Sequence, residues 1–144
     1  MPQTIDDGRR AGVSSVADLD GFAARFAALP ERLNGDAGLL RRGRYLNATC
    51  QFDIGGASVL LRIIDGRIAE LQRNPSATPS ADFAIIGEPA IWRRFLAADP
   101  PPGDHDLFAF LKRKELRVVG DLHPLMSHLL YFKALFACLR DAAR

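Results

Sequence analysis

Three histidines and two cysteines are the side chains in this sequence that most readily suggest a metal site or a nucleophile: His105, His123, His128, Cys50 and Cys138. His123 and His128 stand five residues apart, about 140° round a helix, so they do not aim at one ion. No His-Glu-x-x-His or Cys-x-x-Cys pattern marks a zinc site. His105 lies between Asp104 and Asp106 at an expected helix start, where capping or solvation accounts for it. A His–Asp pair there is the one enzymatic arrangement left open, and it predicts that His105→Ala abolishes turnover. No Gly-x-Ser-x-Gly elbow occurs, and neither cysteine has a basic neighbour on its expected face. Gly8 and Gly55-Gly56 lack the Gly-Lys-Ser/Thr that completes a phosphate loop. The reading is of a protein that is not an enzyme and carries neither metal nor cofactor.

The charged residues are more suggestive. Arg41-Arg42-Arg44, Arg93-Arg94 and Lys112-Arg113-Lys114 are short basic clusters beside apolar elements. Taken plainly they are solvated surface. Converging on an apolar opening, they would meet anionic lipid heads and a membrane periphery, each charge adding about 1 kcal/mol. A net charge of +2 over 144 residues is too small to argue for nucleic acid, and no aromatic-basic RNA motif appears.

The elements that must position these groups come from a composition ordinary for a globular chain, 48% hydrophobic and 25% charged. No apolar run approaches the roughly 20 residues of a membrane span. The opening MPQTIDDGRR lacks the basic-then-apolar pattern of a signal peptide, so the expected compartment is the cytoplasm, with two buried free thiols rather than a disulfide. Residues 1–14 are expected to fray, and 15–144 to form a single domain.

The strands are the clearest elements. Leu46, Ala48, Cys50, Phe52 and Ile54 alternate with Tyr45, Asn47, Thr49, Gln51 and Asp53, which predicts a strand over 44–54 with one face buried. Gly55-Gly56 turns it into a second strand carrying Val59, Leu61 and Ile63 inward. Asp65-Gly66 tolerates positive φ at both corners of a type I′ turn, so Arg67 to Gln72 returns as a third antiparallel strand. Asp82 to Gly87 is a fourth, with Phe83 and Ile85 inward, and Glu115 to Gly120 a fifth, with Leu116 and Val118 on one side. Leu60 and Ile64 point outward without explanation.

Helical spacing marks Val16, Leu19, Phe22, Ala23, Phe26 and Leu29 as a helix that Pro30 ends. A weaker stretch over 31–42 is broken by Gly35 and Gly38. Pro89 opens a helix with Ile91, Trp92, Phe95 and Leu96 on one face, and Asp104 or Asp106 caps another carrying Leu107, Phe108, Phe110 and Leu111. The last helix opens at 121–124 and runs to Arg140. Leu125, Met126, Leu129, Leu130, Phe132, Leu135, Phe136 and Leu139 make its apolar band wider than one sheet contact requires, so it should touch a ligand, a second copy or a partner as well as the core. The order of elements indicates α+β, one sheet with helices on one face.

The succession ASVLLRIIDGRI, SADFAIIGEPAIWRRFL and DLFAFLKRKELRVVGDL resembles the sterol carrier protein type 2 (SCP-2-like) lipid-binding family. Ala81-Asp82 stands where that family opens its fourth strand, and Glu115-Leu116-Arg117-Val118-Val119-Gly120-Asp121 where it places the strand before its last helix. The likeness spans about Leu40 to Phe136. The segment GLLRRGRYLNATCQFDIGG is similar to bacterial members that assist ubiquinone biosynthesis. The resemblance implies a five-stranded mixed sheet covered by helices, with an apolar tunnel between them for sterols, acyl chains or quinone-like lipids. Its walls would be Ala48, Cys50, Phe52, Val59, Leu61, Ile63, Phe83, Ile85 and Val118 from the sheet. Trp92, Phe95, Leu96, Phe108, Leu111, Met126, Leu129 and Phe132 would face them from the helices. The expected function is non-catalytic binding or transfer of such a lipid. The alternative is an interaction module with a filled core, whose last helix dimerises or docks an enzyme.

Overall fold

Strict alternation in β1 (Ala48–Ile54) decides how the sheet is built, its residues going by turns to a buried inner face and a half-buried outer one. The computed structural model describes residues 21–74, 80–104 and 106–142. The expected frayed segment 1–14, the start of the first helix with Val16 and Leu19, and His105 lie outside the described residues.

β2 (Ala57–Ile64) and β3 (Arg67–Arg73) continue β1 as an antiparallel meander. β4 (Phe83–Gly87) pairs parallel to β1 on its other side, and β5 (Arg117–Gly120) pairs antiparallel to β4. The order is β3-β2-β1-β4-β5, a five-stranded mixed sheet in an α+β fold. At the β2–β3 turn both corner residues have positive φ, 51° at Asp65 and 82° at Gly66, as a type I′ turn requires. A bulge shifts the β2–β3 register after Arg62, which lets Ile68 and Leu71, three residues apart, both sit opposite the inward Ile63 and Leu61.

The helices are α1 (residues 21–34), α2 (Ala37–Arg42), α3 (Pro89–Phe95), α4 (Leu107–Lys112), α5 (His123–Ser127) and α6 (Leu129–Asp141). Their buried residues join the inner face of the sheet in one core. Asn34 ends α1 and doubles as an edge guard. Its amide accepts from the Ile68 N–H at 2.9 Å and donates to the Ile68 carbonyl at 3.2 Å, closing part of the free edge of β3. The tip of the β2–β3 hairpin meets the end of α2. A Cβ at Gly66 would lie 2.6 Å from the Gly43 carbonyl oxygen, and Tyr131 on α6 donates its hydroxyl to the Gly66 carbonyl at 2.6 Å.

Two helix boundaries differ from the sequence reading. Pro30 does not end α1, which continues to residue 34. A proline inside a helix costs about 3 kcal/mol. Leu29 and Leu33, 1% and 0% exposed, flank it and offset that cost through burial. The long terminal helix is two helices, broken at His128 (φ −131°, ψ 45°), so His123 and His128 do not share one helix. Ser127 bonds the His123 carbonyl at 2.7 Å and competes with the backbone ladder there. β1 and β5 also begin later than expected, at Ala48 and Arg117.

The outward Leu60 is explained. It is buried at 5% exposure, and in register it lies between Gln51 and Gln72, both half-buried themselves. Long side chains on both neighbouring strands leave little room for water over a mid-sheet position. Ile64, beside the turn, lacks that shelter and is 39% exposed.

Candidate functional site

The spacing of Leu129, Phe132, Lys133, Phe136 and Arg140 puts them on one face of α6. Opposite stands α4, started by Asp106, whose carboxylate accepts from the Phe108 N–H at 2.9 Å. Between them, with Leu125 of α5, lies a cleft of about 240 Å³. Its floor is Leu107, Leu125, Phe132 and Phe136, all buried; its rim is Asp106, Phe108, Leu129, Leu130, Lys133 and Arg140. At ~30 Å³ per water this is room for about eight waters or as many chain carbons.

The rim has two cationic residues. Lys133 is exposed. Arg140 is buried: its Nε donates to the Phe95 carbonyl at 2.8 Å, its guanidinium carbon lies 4.8 Å from the Phe95 ring centre, and burial pushes its pKa down. Behind α4 a cluster of ions fixes the wall. Arg94 and Arg113 lie 5.4 and 4.6 Å from the centre of the Phe110 ring, and both bond Glu115 at 2.6 Å. Asp104, buried, accepts from Arg113 at 3.0 Å. Hydrogen bonds from Arg113 first, and then Arg94, hold the Glu115 carboxyl below its usual pKa. The cluster ties α4 to α3 and to the start of β5.

The residues expected to line a lipid site fall into three groups. Ala48, Cys50, Phe52, Val59, Leu61, Ile63, Phe83 and Ile85 cover the inner face of the sheet, and Trp92, Phe95 and Leu96 pack over it, none more than 4% exposed. Their rings interlock: Phe52 contacts Phe26, Trp92 and Phe136 at 5.3, 6.0 and 6.2 Å, and Phe95 contacts Phe110 and Phe136 at 5.1 and 4.9 Å. Phe108, Leu129 and Phe132 do line the cleft. Leu111 and Val118 border a shallow groove with Leu122, and Met126 borders another with Arg42, Leu129 and Leu130. The cleft thus lies one layer further out than the sequence reading placed the ligand, with Phe132 and Phe136 between it and the sheet. Leu107, Leu125, Leu130, Phe136, Lys133, Asp106 and Arg140 were absent from the expected lining. The 4-3-4 spacing of Leu129, Lys133, Phe136 and Arg140 was the signal that could have supplied the α6 part.

Three nucleophile-type side chains among the described residues, Cys50, Cys138 and Ser127, are each held in an unreactive setting. Burial, and secondarily the Asp82 carboxylate, raises the Cys50 thiol, so the thiolate is not available near neutral pH. Burial likewise raises the half-buried Cys138; both cysteines are free. Ser127 Oγ lies 3.2 Å from Nδ1 of His128, but its proton goes to the His123 carbonyl at 2.7 Å. Among the described residues no group of three or more His, Cys, Asp or Glu could hold a metal ion. No helix among them is long and apolar enough to cross a membrane.

The overall fold is shared with known structures. The crystal structure of sterol carrier protein 2 superposes with a TM-score of 0.67 at 18% identity, covering 82% of this chain and 95% of that one. The fold is SCP-2-like. A conserved hypothetical protein from Thermus thermophilus matches at a TM-score of 0.59 and 15% identity, over 78% of this chain and 83% of its own. The UbiJ-SCP2 ubiquinone synthesis protein matches at 0.56 and 19%, over 82% and 94%. Neither a family model nor a curated protein matches the chain in sequence. What the SCP-2-like fold contributes here is a packed sheet-and-helix base on which α4, α5 and α6 are mounted with a gap between them.

Proposed function

We propose that this chain binds the apolar chain of a lipid non-covalently and leaves it chemically unchanged. The observation that carries the reading is the open cleft of about 240 Å³ with a floor of buried leucines and phenylalanines. Its volume suits part of a single acyl or prenyl chain rather than a whole sterol ring system. Burying about eight methylenes contributes roughly 6 kcal/mol before the cost of immobilising the chain. Lys133, exposed at the rim, suits a polar or anionic head. Sterol carrier protein 2 and the UbiJ-SCP2 ubiquinone synthesis protein share the fold, which supports a lipid ligand and keeps quinone precursors among the candidates.

Native mass spectrometry of the purified protein should show a co-purified lipid, and a fluorescent fatty acid should bind and be displaced by single-chain lipids. Leu129→Trp, which narrows the cleft from its rim, should weaken the probe by about tenfold, the cost of roughly 1.4 kcal/mol. A protein that carries no lipid and takes up no probe would sink the reading.

A further inference from the structure

The helical end of the molecule exposes more apolar surface than its cleft needs. Leu122, Met126 and Leu130 are 43%, 49% and 65% exposed, and Leu122 and Met126 lie outside the cleft. Cations accompany each of them. Arg42 shares a groove with Met126 and Leu130, Lys133 shares the cleft rim with Leu130, and Lys114 and Arg117 share a groove with Leu122. Carboxylates stand nearby as well: Asp106 and Asp121 cap the Phe108 and His123 N–H groups, each at 2.9 Å, and Asp53, Glu88 and Glu115 line a further groove beside Lys114 and Arg117.

From this pairing of exposed leucine and methionine with four cations, we propose that the α5–α6 face docks on an anionic lipid bilayer. Single apolar side chains scattered over a surface need no explanation; a contiguous group such as Met126 and Leu130, bordered by Arg42 and Lys133, marks an interaction site. Partly inserted apolar residues and basic residues at headgroup level are the combination that holds a protein on a membrane surface without a span. Continuity with the cleft supports that occupant, because Leu129 and Leu130 border both the cleft and the Arg42 groove. A lipid leaving such a bilayer would meet the cleft rim without crossing water.

The test is co-sedimentation of the full chain with phosphatidylcholine vesicles, with and without phosphatidylglycerol. Binding should require phosphatidylglycerol and fall away at high salt, as the screening length shrinks to about 3 Å at 1 M. Met126→Asp and Arg42→Glu, both outside the cleft, should each lower the partition coefficient roughly tenfold. Both should keep fatty-acid probe binding in vesicle-free buffer, which shows them folded. Absence of vesicle binding by the parent protein, or binding that neither variant weakens, overturns the proposal. So does a parent protein that self-associates through this face, becomes monomeric with Met126→Asp and ignores vesicles. Anionic vesicle binding without any probe uptake would support the docking face while overturning the cleft as a lipid site.

Discussion

Phe52 and Phe108 are the same residue type in two regions that treat it in opposite ways. Phe52, on β1, is 0% exposed and touches three aromatic rings; Phe108, on α4, is 38% exposed at a cleft rim. The sheet side of the molecule spends its apolar residues on cohesion, and the α4–α6 side leaves some of them, Phe108, Met126, Leu129 and Leu130, facing outward. Apolar content alone therefore carries no functional information in this fold. What separates the regions is whether a second layer covers the side chain, and among the described residues α4 and α6 have none over Phe108, Leu129 and Leu130.

That contrast can be broken experimentally. Phe52→Ala should cost about 3–5 kcal/mol in urea unfolding, because the rings around it cannot collapse into the space. Phe108→Asp should do the reverse: a stability change within about 0.5 kcal/mol, as for a surface site, with fatty-acid probe affinity down about tenfold. Should Phe108→Asp unfold the protein, the two regions would not differ as described. The smallest effect concerns the wall of the cleft. The Glu115 pKa is depressed in the folded state, so its contribution is present above the unfolded value near 4.5 and is lost as pH falls through the folded value. Glu115→Gln should therefore be less stable than the parent at neutral pH, with the gap closing under acid. A gap independent of pH would remove the charge on Glu115 as its cause.

The base of the fold was legible and the cleft between α4 and α6 was not, for reasons of range. Alternation in 48–54 and the Asp65-Gly66 turn are local signals, and the structure follows both. The failures came where tertiary contacts overrule local preference. Pro30 sits in a helix that burial of Leu29 and Leu33 sustains, and the break at His128 separates two segments whose apolar pattern reads straight through. Leu60 is buried by Gln51 and Gln72 on the neighbouring strands, a pairing that its own local pattern does not reveal. Among the proposed lining residues, a stripe such as Trp92, Phe95 and Leu96 has the same periodicity as one that borders a cleft. Only the position of α4, tied to α3 by the long-range Arg94–Glu115 pair and by the buried Phe110, tells them apart.

The parallel pairing of β1 with β4 bears on synthesis. Cys50 meets Phe83 across that pair, so the middle strand acquires its second neighbour only after thirty-three further residues have been made. Until then a nascent meander offers the bare backbone edge of β1 to any other extended chain. A released fragment ending at Arg73 should accordingly aggregate, and one reaching Gly87 should resist it.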